Sequence, residues 1–138
     1  MGGRWNSIDG LPVVYVSDSF ALAAWEVFIN FDDDAFDLEH MSLTIELPRN
    51  SVVTIEDSYG LPDNWNACPF RESSQKIGDR WLKELRSLAM RVPSVVIPES
   101  YNYLVNPLHP DFPRAVIGKP AKFEFDPRVF ASEKRTPS

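Results

Sequence analysis

The sequence predicts an α+β domain, on the basis of two helical segments and the irregular order of the strands around them. Residues 20–29 and 74–89 have helical composition or spacing, and several short segments rich in β-branched residues surround them. The order of these segments is too irregular for the repeated strand–helix units of a Rossmann sheet, and no G-x-G-x-x-G fingerprint occurs. We therefore expect mixed structure with two main helices.

Size and composition fit one compact domain. The chain has 138 residues, of which 43% are hydrophobic and 12% aromatic, so it can bury a single core. A formal charge of -6 argues against direct binding to nucleic acid, which needs a basic face. The single Cys68 excludes an intramolecular disulfide. With no signal peptide and no long apolar span in the sequence, we expect a cytoplasmic protein that does not enter the membrane.

The first predicted strand runs directly into the first predicted helix. Residues 12–16 read as a short strand, and the Ser-Asp-Ser sequence at 17–19 offers capping residues for a helix over 20–29. Tyr15 therefore lies near the strand end that faces the helix start. Glu26 lies in that helix among apolar neighbours, where a carboxylate is costly to bury unless it has a partner or a function.

Arg4, Tyr15 and Glu26 together form a candidate binding unit. Arg4 follows two glycines, so a flexible backbone precedes a planar cation. A cation, an aromatic face and a carboxylate suit a ligand that has a phosphate, a flat ring and a centre that becomes positive during reaction. Each of the three residues taken alone is more often a solvated or core residue.

The middle of the chain carries two further strands and no metal site. Residues 41–47 alternate as in a half-buried strand, residues 51–55 are rich in β-branched side chains, and residues 58–65 are rich in turn formers. The acidic residues at 32–34 and 37 lack the glycine and the ligand spacing of a calcium loop. We expect a solvated turn there and no metal.

The second helix is followed by a buried strand. Residues 74–89 carry an apolar stripe made of Ile77, Trp81, Leu85 and Leu88. Residues 90–98 are rich in valine and bounded by proline, and Ser94 is the hydroxyl within them. A buried serine usually bonds back to its own chain. A hydrolase triad of Ser94 with His109 and Asp111 or Asp126 is disfavoured, because no G-x-S-x-G elbow surrounds the serine.

The last third combines a polar loop, a strand and a tail. In the loop at 99–107, Asn102 and Asn106 are as suited to tying the loop to the backbone as to contacting a ligand. Residues 122–125 read as a strand, and residues 131–138 read as a disordered tail.

Several blocks that occur in order from residue 2 to residue 130 resemble the RES-domain family. They are GGRWNS, VVY, ALAAWEV, RVPSVVIPESYNYLVNP and FEFDPRVF. Members of this family are the toxins of bacterial toxin-antitoxin pairs, and their partner is an Xre-like helix-turn-helix antitoxin. The resemblance implies an ADP-ribosyltransferase-like split sheet of short strands packed with two main helices.

The arginine, glutamate and serine in the family name correspond by this resemblance to Arg4, Glu26 and Ser94. A literal Arg-Glu-Ser tripeptide at 71–73 reads as a coincidence, because nothing around it supplies an apolar pocket. The family usually carries another strand before the glycines. We therefore expect a single RES domain over 1–130 in which this strand is missing, either because the start is truncated or because this member lacks it.

The resemblance also implies an activity, namely cleavage of the nicotinamide–ribose bond of NAD by hydrolysis or phosphorolysis. NAD is then the substrate, and no true cofactor or metal is implied. In this scheme Glu26 stabilises positive charge on the ribose, Arg4 binds the pyrophosphate, Tyr15 stacks on the nicotinamide or the ribose, and Ser94 holds the nicotinamide-ribose end. The loop with Asn102 and Asn106 forms a wall of the site. Two alternatives stay open: a protein ADP-ribosyltransferase and a catalytically degenerate binding module.

Overall fold

The computed structural model describes residues 3–7, 10–30, 40–67, 72–123 and 128. The described part contains three α-helices, α1 (Phe20–Asn30), α2 (Ile55–Ser58) and α3 (Glu72–Glu84). It also contains eight strands, which are β1 (Val14–Ser17), β2 (His40–Ser42), β3 (Ile45–Glu46), β4 (Val52–Thr54), β5 (Ala89–Pro93), β6 (Tyr101–Val105), β7 (Val116–Ile117) and β8 (Ala121–Phe123). The predicted α+β class is confirmed.

The strands of the described part form one four-stranded sheet and two small two-stranded sheets. The larger sheet has the order β1-β6-β5-β4, in which only the β4–β5 pair is parallel. The small sheets pair β2 with β8 and β3 with β7, both antiparallel. In the larger sheet Ser17 lies opposite Asn102, and Asn102 lies opposite Val92. Directly opposed residues share a face of the sheet, so Ser17 and Asn102 point to the same side.

The main core lies on that same face. It contains Trp5, Ile55, Trp81, Leu82, Met90, Val92 and Leu104. Gly78 of α3 allows the turn at residues 3–7 to lie against the helix: a Cβ atom at position 78 would lie 1.4 Å from the carbonyl oxygen of Trp5. This close approach ties the start of the described chain to the middle of α3.

The predicted helix over 74–89 is displaced in the structure, where α3 spans Glu72–Glu84. Leu85 has a φ of 54°, a left-handed conformation that ends the helix. The buried Ser87 hydroxyl then accepts a hydrogen bond from the indole of Trp81 and donates one to the carbonyl of Ala89. The last predicted helical residue, Ala89, is thus the first residue of β5.

Three predicted strands are divided or shorter than expected. The segment predicted as one strand over 41–47 is two strands, β2 and β3, which pair with different partners. The strand predicted over 90–98 ends at Pro93, because Ser94 starts a turn. The Thr54 side chain accepts from the N–H of Asp57, so the strand predicted over 51–55 ends in the short helix α2.

The segment predicted as a loop over 99–107 contains strand β6, which pairs with both β1 and β5. The remaining helix and strand predictions are matched closely or lie outside the described residues. The strand predicted over 12–16 and the helix predicted over 20–29 correspond to β1 and α1. The strand predicted over 122–125 corresponds to β8 as far as Phe123. The acidic residues 32–34 and 37, Cys68, Asp126 and the tail 131–138 lie outside the described residues. None of the helices that the structure describes is long and apolar enough to cross a membrane.

Candidate functional site

The centre of the candidate site is the half-buried carboxylate of Glu26. Its Oε1 atom accepts two hydrogen bonds, one from the Ser94 hydroxyl and one from Nδ2 of Asn102, each at 2.8 Å. These donors come from a loop and a strand that lie 68 and 76 residues along the chain from Glu26. The fold therefore assembles a carboxylate with two fixed donors on a single oxygen.

Helix α1 is placed by its junction with β1. The Ser19 side chain accepts from the N–H of Leu22 and caps the first turn. The N–H of Asp18 donates to the carbonyl of Tyr101, which extends the contact of β1 with β6 up to the helix start. These two contacts fix the start of α1 beside β6. Glu26 therefore lies near the end of β6 that carries Asn102.

The loop that follows β5 orients the Ser94 hydroxyl by donating two backbone hydrogen bonds to it. Its oxygen accepts from the N–H groups of Val96 at 3.1 Å and Ile97 at 3.2 Å. A hydroxyl has two acceptor positions and one proton, so the remaining proton is donated to Glu26. Ser94 is only 4% exposed. The contacts combine the backbone role expected of a buried serine with a direct contact to the carboxylate.

Asn102 is held at both ends of its amide. Its Nδ2 donates to Glu26, and its Oδ1 accepts from the Ser17 hydroxyl at 2.7 Å. Ser17 stood out in the sequence only as a possible helix cap. Its place beside Asn102 depends on the register of β1 against β6, so the pairing of two distant strands was the signal needed to find it.

Tyr15 belongs to a neighbouring cluster built around the turn at residues 3–7. Its hydroxyl donates to Oδ1 of Asn6 and accepts from the N–H of Trp5. Burial raises the pKa of this phenol to about 12; the bond from the Trp5 backbone lowers the pKa, and nearby Asp79 raises it further. The residue as a whole is 44% exposed. The hydroxyl is thus used within the protein, while part of the side chain remains accessible.

Arg4 makes backbone contacts across the molecule. Its Nη1 atom donates to the carbonyl oxygens of Trp65 at 2.7 Å and Ala67 at 2.8 Å. The arginine therefore holds the turn after α2 against the turn at residues 3–7. Both of these contacts use the same nitrogen of the guanidinium.

Asn106 does not join the Glu26 cluster, which is a correction to its expected place beside a ligand. The residue is 0% exposed. Its Nδ2 donates to the carbonyl of Leu82, and its Oδ1 accepts from the N–H of Leu108. The amide satisfies buried backbone groups, which is the other role that the sequence allowed.

The disfavoured hydrolase triad gains no support from these contacts. His109 uses Nδ1 to accept from the N–H of Asp111, and the Ser94 proton is donated to Glu26. In the Arg-Glu-Ser tripeptide, Glu72 pairs with Lys76 on the exposed surface of α3, and the Ser73 hydroxyl donates to Asn64. Within the described ranges, no group of three or more His, Cys, Asp or Glu residues could hold a metal ion.

A cavity of about 370 Å³ adjoins Ser94. Its lining includes the aromatic side chains of Trp65 and Tyr101, together with Glu56, Asn66 and Pro93. The guanidinium of Arg91 lies 4.1 Å from the centre of the Tyr101 ring. Arg4 contributes indirectly, because it holds the carbonyl of Trp65. The cavity thus offers flat apolar surfaces beside the serine that contacts Glu26.

The sequence is similar to one known protein family and to several named proteins. The profile of the family described as "RES domain" matches residues 1–126. The "Prs ADP-ribosylating toxin" of Sphingobium sp. (strain YBL2) is 35% identical over 130 residues, which are 93% of this chain and 80% of that protein. A "Toxin Res" of Photorhabdus laumondii is 34% identical over 134 residues, with 96% of this chain and 85% of the relative covered. A "Toxin Res" of Pseudomonas putida is 35% identical over 132 residues, with 94% and 87% covered.

Proposed function

This chain belongs to the RES-domain family, and from that premise we propose that it is a toxin enzyme that cleaves the nicotinamide–ribose bond of NAD. The acceptor of the ADP-ribose is water or inorganic phosphate in this proposal. Support comes from the names of the relatives, which describe toxins and in one case an ADP-ribosylating toxin. Within the molecule, support comes from the arrangement around Glu26.

The single observation that carries the proposal is the pair of hydrogen bonds to Oε1 of Glu26. When the glycosidic bond breaks, its electron pair leaves with nicotinamide, and positive charge develops on the ribose carbon and ring oxygen. A carboxylate beside the ribose stabilises this charge more than it stabilises the neutral sugar of the substrate. Because Ser94 and Asn102 already fix the carboxylate, little reorganisation is needed during the reaction.

The other residues of the site receive binding roles in this proposal. Ser94 acts on the nicotinamide-ribose end by holding the carboxylate in place. Tyr15 stacks its accessible ring on the nicotinamide or ribose, since its hydroxyl is bonded to Asn6 and Trp5. Arg4 binds the pyrophosphate, for which its planar fork of donors is better suited than the ammonium group of a lysine. The same side chain also holds the turn at Trp65. No metal and no further cofactor enter this scheme.

A second candidate function is transfer of ADP-ribose to a protein. The observation that favours it is the name of the Sphingobium relative, an ADP-ribosylating toxin. The same cleavage chemistry serves both functions, because only the acceptor differs. A catalytically degenerate binding module is the third candidate.

One experiment separates these functions. Purified protein is incubated with NAD in phosphate-free buffer, with inorganic phosphate, or with a cell extract, and nicotinamide is quantified together with the ADP-ribose product. Free ADP-ribose indicates hydrolysis, ADP-ribose phosphate indicates phosphorolysis, and a protein mass increase indicates transfer. Glu26→Gln serves as the inactive control, and Glu46→Gln on the exposed face of β3 as the matched charge control. Release of nicotinamide at the background rate in all three conditions would remove both enzymatic functions.

The proposed partner is an Xre-like helix-turn-helix antitoxin. The formal charge of -6 favours a partner that presents basic or polar groups to this chain. We expect the toxin alone to arrest growth of the host and co-expression with the neighbouring open reading frame to restore it. Normal growth at confirmed expression of the parental protein would contradict the toxin role. Glu26→Gln is the control for effects of expression itself.

A further inference from the structure

We propose that Ser17 is a positioning residue for Glu26 and that it acts through the side-chain amide of Asn102. The proposal rests on the proposed function of Glu26 and deepens it by naming a residue outside the reacting groups. The three side chains form a chain of hydrogen bonds in which Ser17 donates to Asn102 and Asn102 donates to Glu26. The distances between donor and acceptor are 2.7 Å and 2.8 Å.

The polarity of this chain follows from the chemistry of its members. A carboxylate oxygen accepts hydrogen bonds, so the NH₂ end of Asn102 must face Glu26. The carbonyl end of the amide then faces Ser17, and the serine must donate its proton there. A rotated amide would place two acceptor oxygens against each other at the carboxylate. Ser17 therefore donates to the amide oxygen of Asn102, which points away from Glu26 when the NH₂ group faces the carboxylate.

The fold places Ser17 so that it can do this with little freedom of movement. It is the last residue of β1 and lies directly opposite Asn102 in the antiparallel pair with β6. Two residues later, the side chain of Ser19 caps the first turn of the helix that carries Glu26. The serine is thus held by the sheet on one side and by the start of α1 on the other.

The consequence for Glu26 is a fixed carboxylate plane. Ser94 and Asn102 donate to the same oxygen, and two donors on one carboxylate oxygen restrict rotation about the last side-chain torsion. If Asn102 turns, Glu26 keeps only the Ser94 donor of this pair. A change at Ser17 should consequently slow the chemical step without removing any group that contacts NAD.

The test uses two substitutions of the same shape at one position. Ser17→Thr keeps a hydroxyl, Ser17→Val removes it, and both β-branched side chains suit a strand. We expect Ser17→Thr to keep near-parental kcat for nicotinamide release and Ser17→Val to lower kcat about three- to tenfold with KM little changed, the effect of one lost hydrogen bond. Melting temperatures are recorded on the same samples, so that a loss of stability in Ser17→Val is separated from a loss of kcat. Equal kcat values for Thr and Val variants would overturn the proposal.

A double-mutant cycle tests the route through Asn102. If Ser17 acts by way of the amide, Ser17→Val should have no further effect on kcat in an Asn102→Ala background. A Ser17→Val effect of the same size in both backgrounds would show that Ser17 acts elsewhere, and would overturn the proposal even if the Thr and Val variants differ.

A spectroscopic readout separates this proposal from the function on which it rests. The side-chain NH₂ resonances of Asn102, identified by their loss in Asn102→Ala, are recorded by ¹H–¹⁵N NMR. They should be sharp and dispersed in the parent and in Ser17→Thr, and broadened or shifted toward solvent-exposed amide values in Ser17→Val. Unchanged resonances in Ser17→Val would overturn the positioning role. An ordered amide in a parent that releases no nicotinamide would instead refute the proposed function.

Discussion

The Oγ atom of Ser94 donates a hydrogen bond to Oε1 of Glu26 over 2.8 Å, although 68 positions separate the two residues in the chain. The same hydroxyl accepts from two backbone N–H groups of its own loop. One side chain therefore both shapes the turn after β5 and orients the carboxylate. Substitutions at Ser94 and Glu26 should therefore affect stability and catalysis to different extents.

Glu26→Gln tests the charge of the carboxylate. The amide keeps the shape of the side chain but cannot stabilise a developing positive charge, so kcat for nicotinamide release should fall about a hundredfold, equivalent to roughly 3 kcal/mol. The melting temperature should change little by comparison. The test measures nicotinamide release at saturating NAD, together with the melting temperature of the same sample. Parental turnover by a folded Glu26→Gln protein would remove Glu26 from the catalytic role.

Ser94→Ala tests both functions of the serine at once. The change leaves the N–H groups of Val96 and Ile97 without their hydroxyl acceptor, and it removes one donor to Glu26. We expect unfolding to become easier by about 1–3 kcal/mol and kcat to fall as well. Chemical denaturation and the nicotinamide assay measure the two effects. A loss of activity with unchanged stability would show that water replaces the hydroxyl in the loop.

Arg4→Lys keeps the positive charge but removes the planar fork. Lysine presents a single flexible ammonium group, so contacts to two carbonyls and to a pyrophosphate should not all be kept. We expect KM for NAD to rise about tenfold, with a smaller change in kcat. The exposed Arg49 provides the matched control, Arg49→Lys. Identical KM values for the two variants would contradict pyrophosphate binding by Arg4.

Gly78→Ala tests the contact between α3 and the turn that carries Arg4. Alanine is the better helix former by about 1 kcal/mol, which alone would stabilise α3. The added Cβ would lie 1.4 Å from the Trp5 carbonyl oxygen, so the turn must move and overpacking should dominate, with a net loss of about 2 kcal/mol. Lys76→Ala on the exposed side of the same helix is the control. Higher stability of Gly78→Ala would show that the turn is not held against the helix.

Tyr15 makes stability sensitive to alkaline pH. Burial first, and then the charge of Asp79, raise the phenol pKa from 10.0 to about 12, against the lowering effect of the Trp5 bond. The folded protein therefore keeps the proton between these values while the unfolded chain loses it. The contribution is fully present below pH 10 and is lost as the pH rises to about 12. The Tyr15→Phe variant should not show this loss of stability between pH 10 and about 12. Denaturation midpoints of the variant and the parent, measured from pH 8 to 12, provide the comparison.

The linear order of residues was sufficient to predict the class of fold, the first helix and the family. Helix α1 and strand β1 follow from local patterns, namely capping residues, apolar spacing and β-branched runs. These patterns extend over only a few residues, so they can be recognised without knowledge of distant contacts. The carboxylate of Glu26 stood out for the same reason, because its immediate neighbours are apolar.

Only the tertiary structure decided which polar side chains meet. The pairing of β1 with β6 brings Ser17 to Asn102, and the turn after β5 brings Ser94 to Glu26, whereas Asn106 is bonded to the backbone near α3. The end of α3 at Leu85 and the division of the segment 41–47 into two strands also depend on such distant contacts. The physical reason is that hydrogen bonds between residues far apart in the chain are set by strand register and loop closure, which local propensity does not encode.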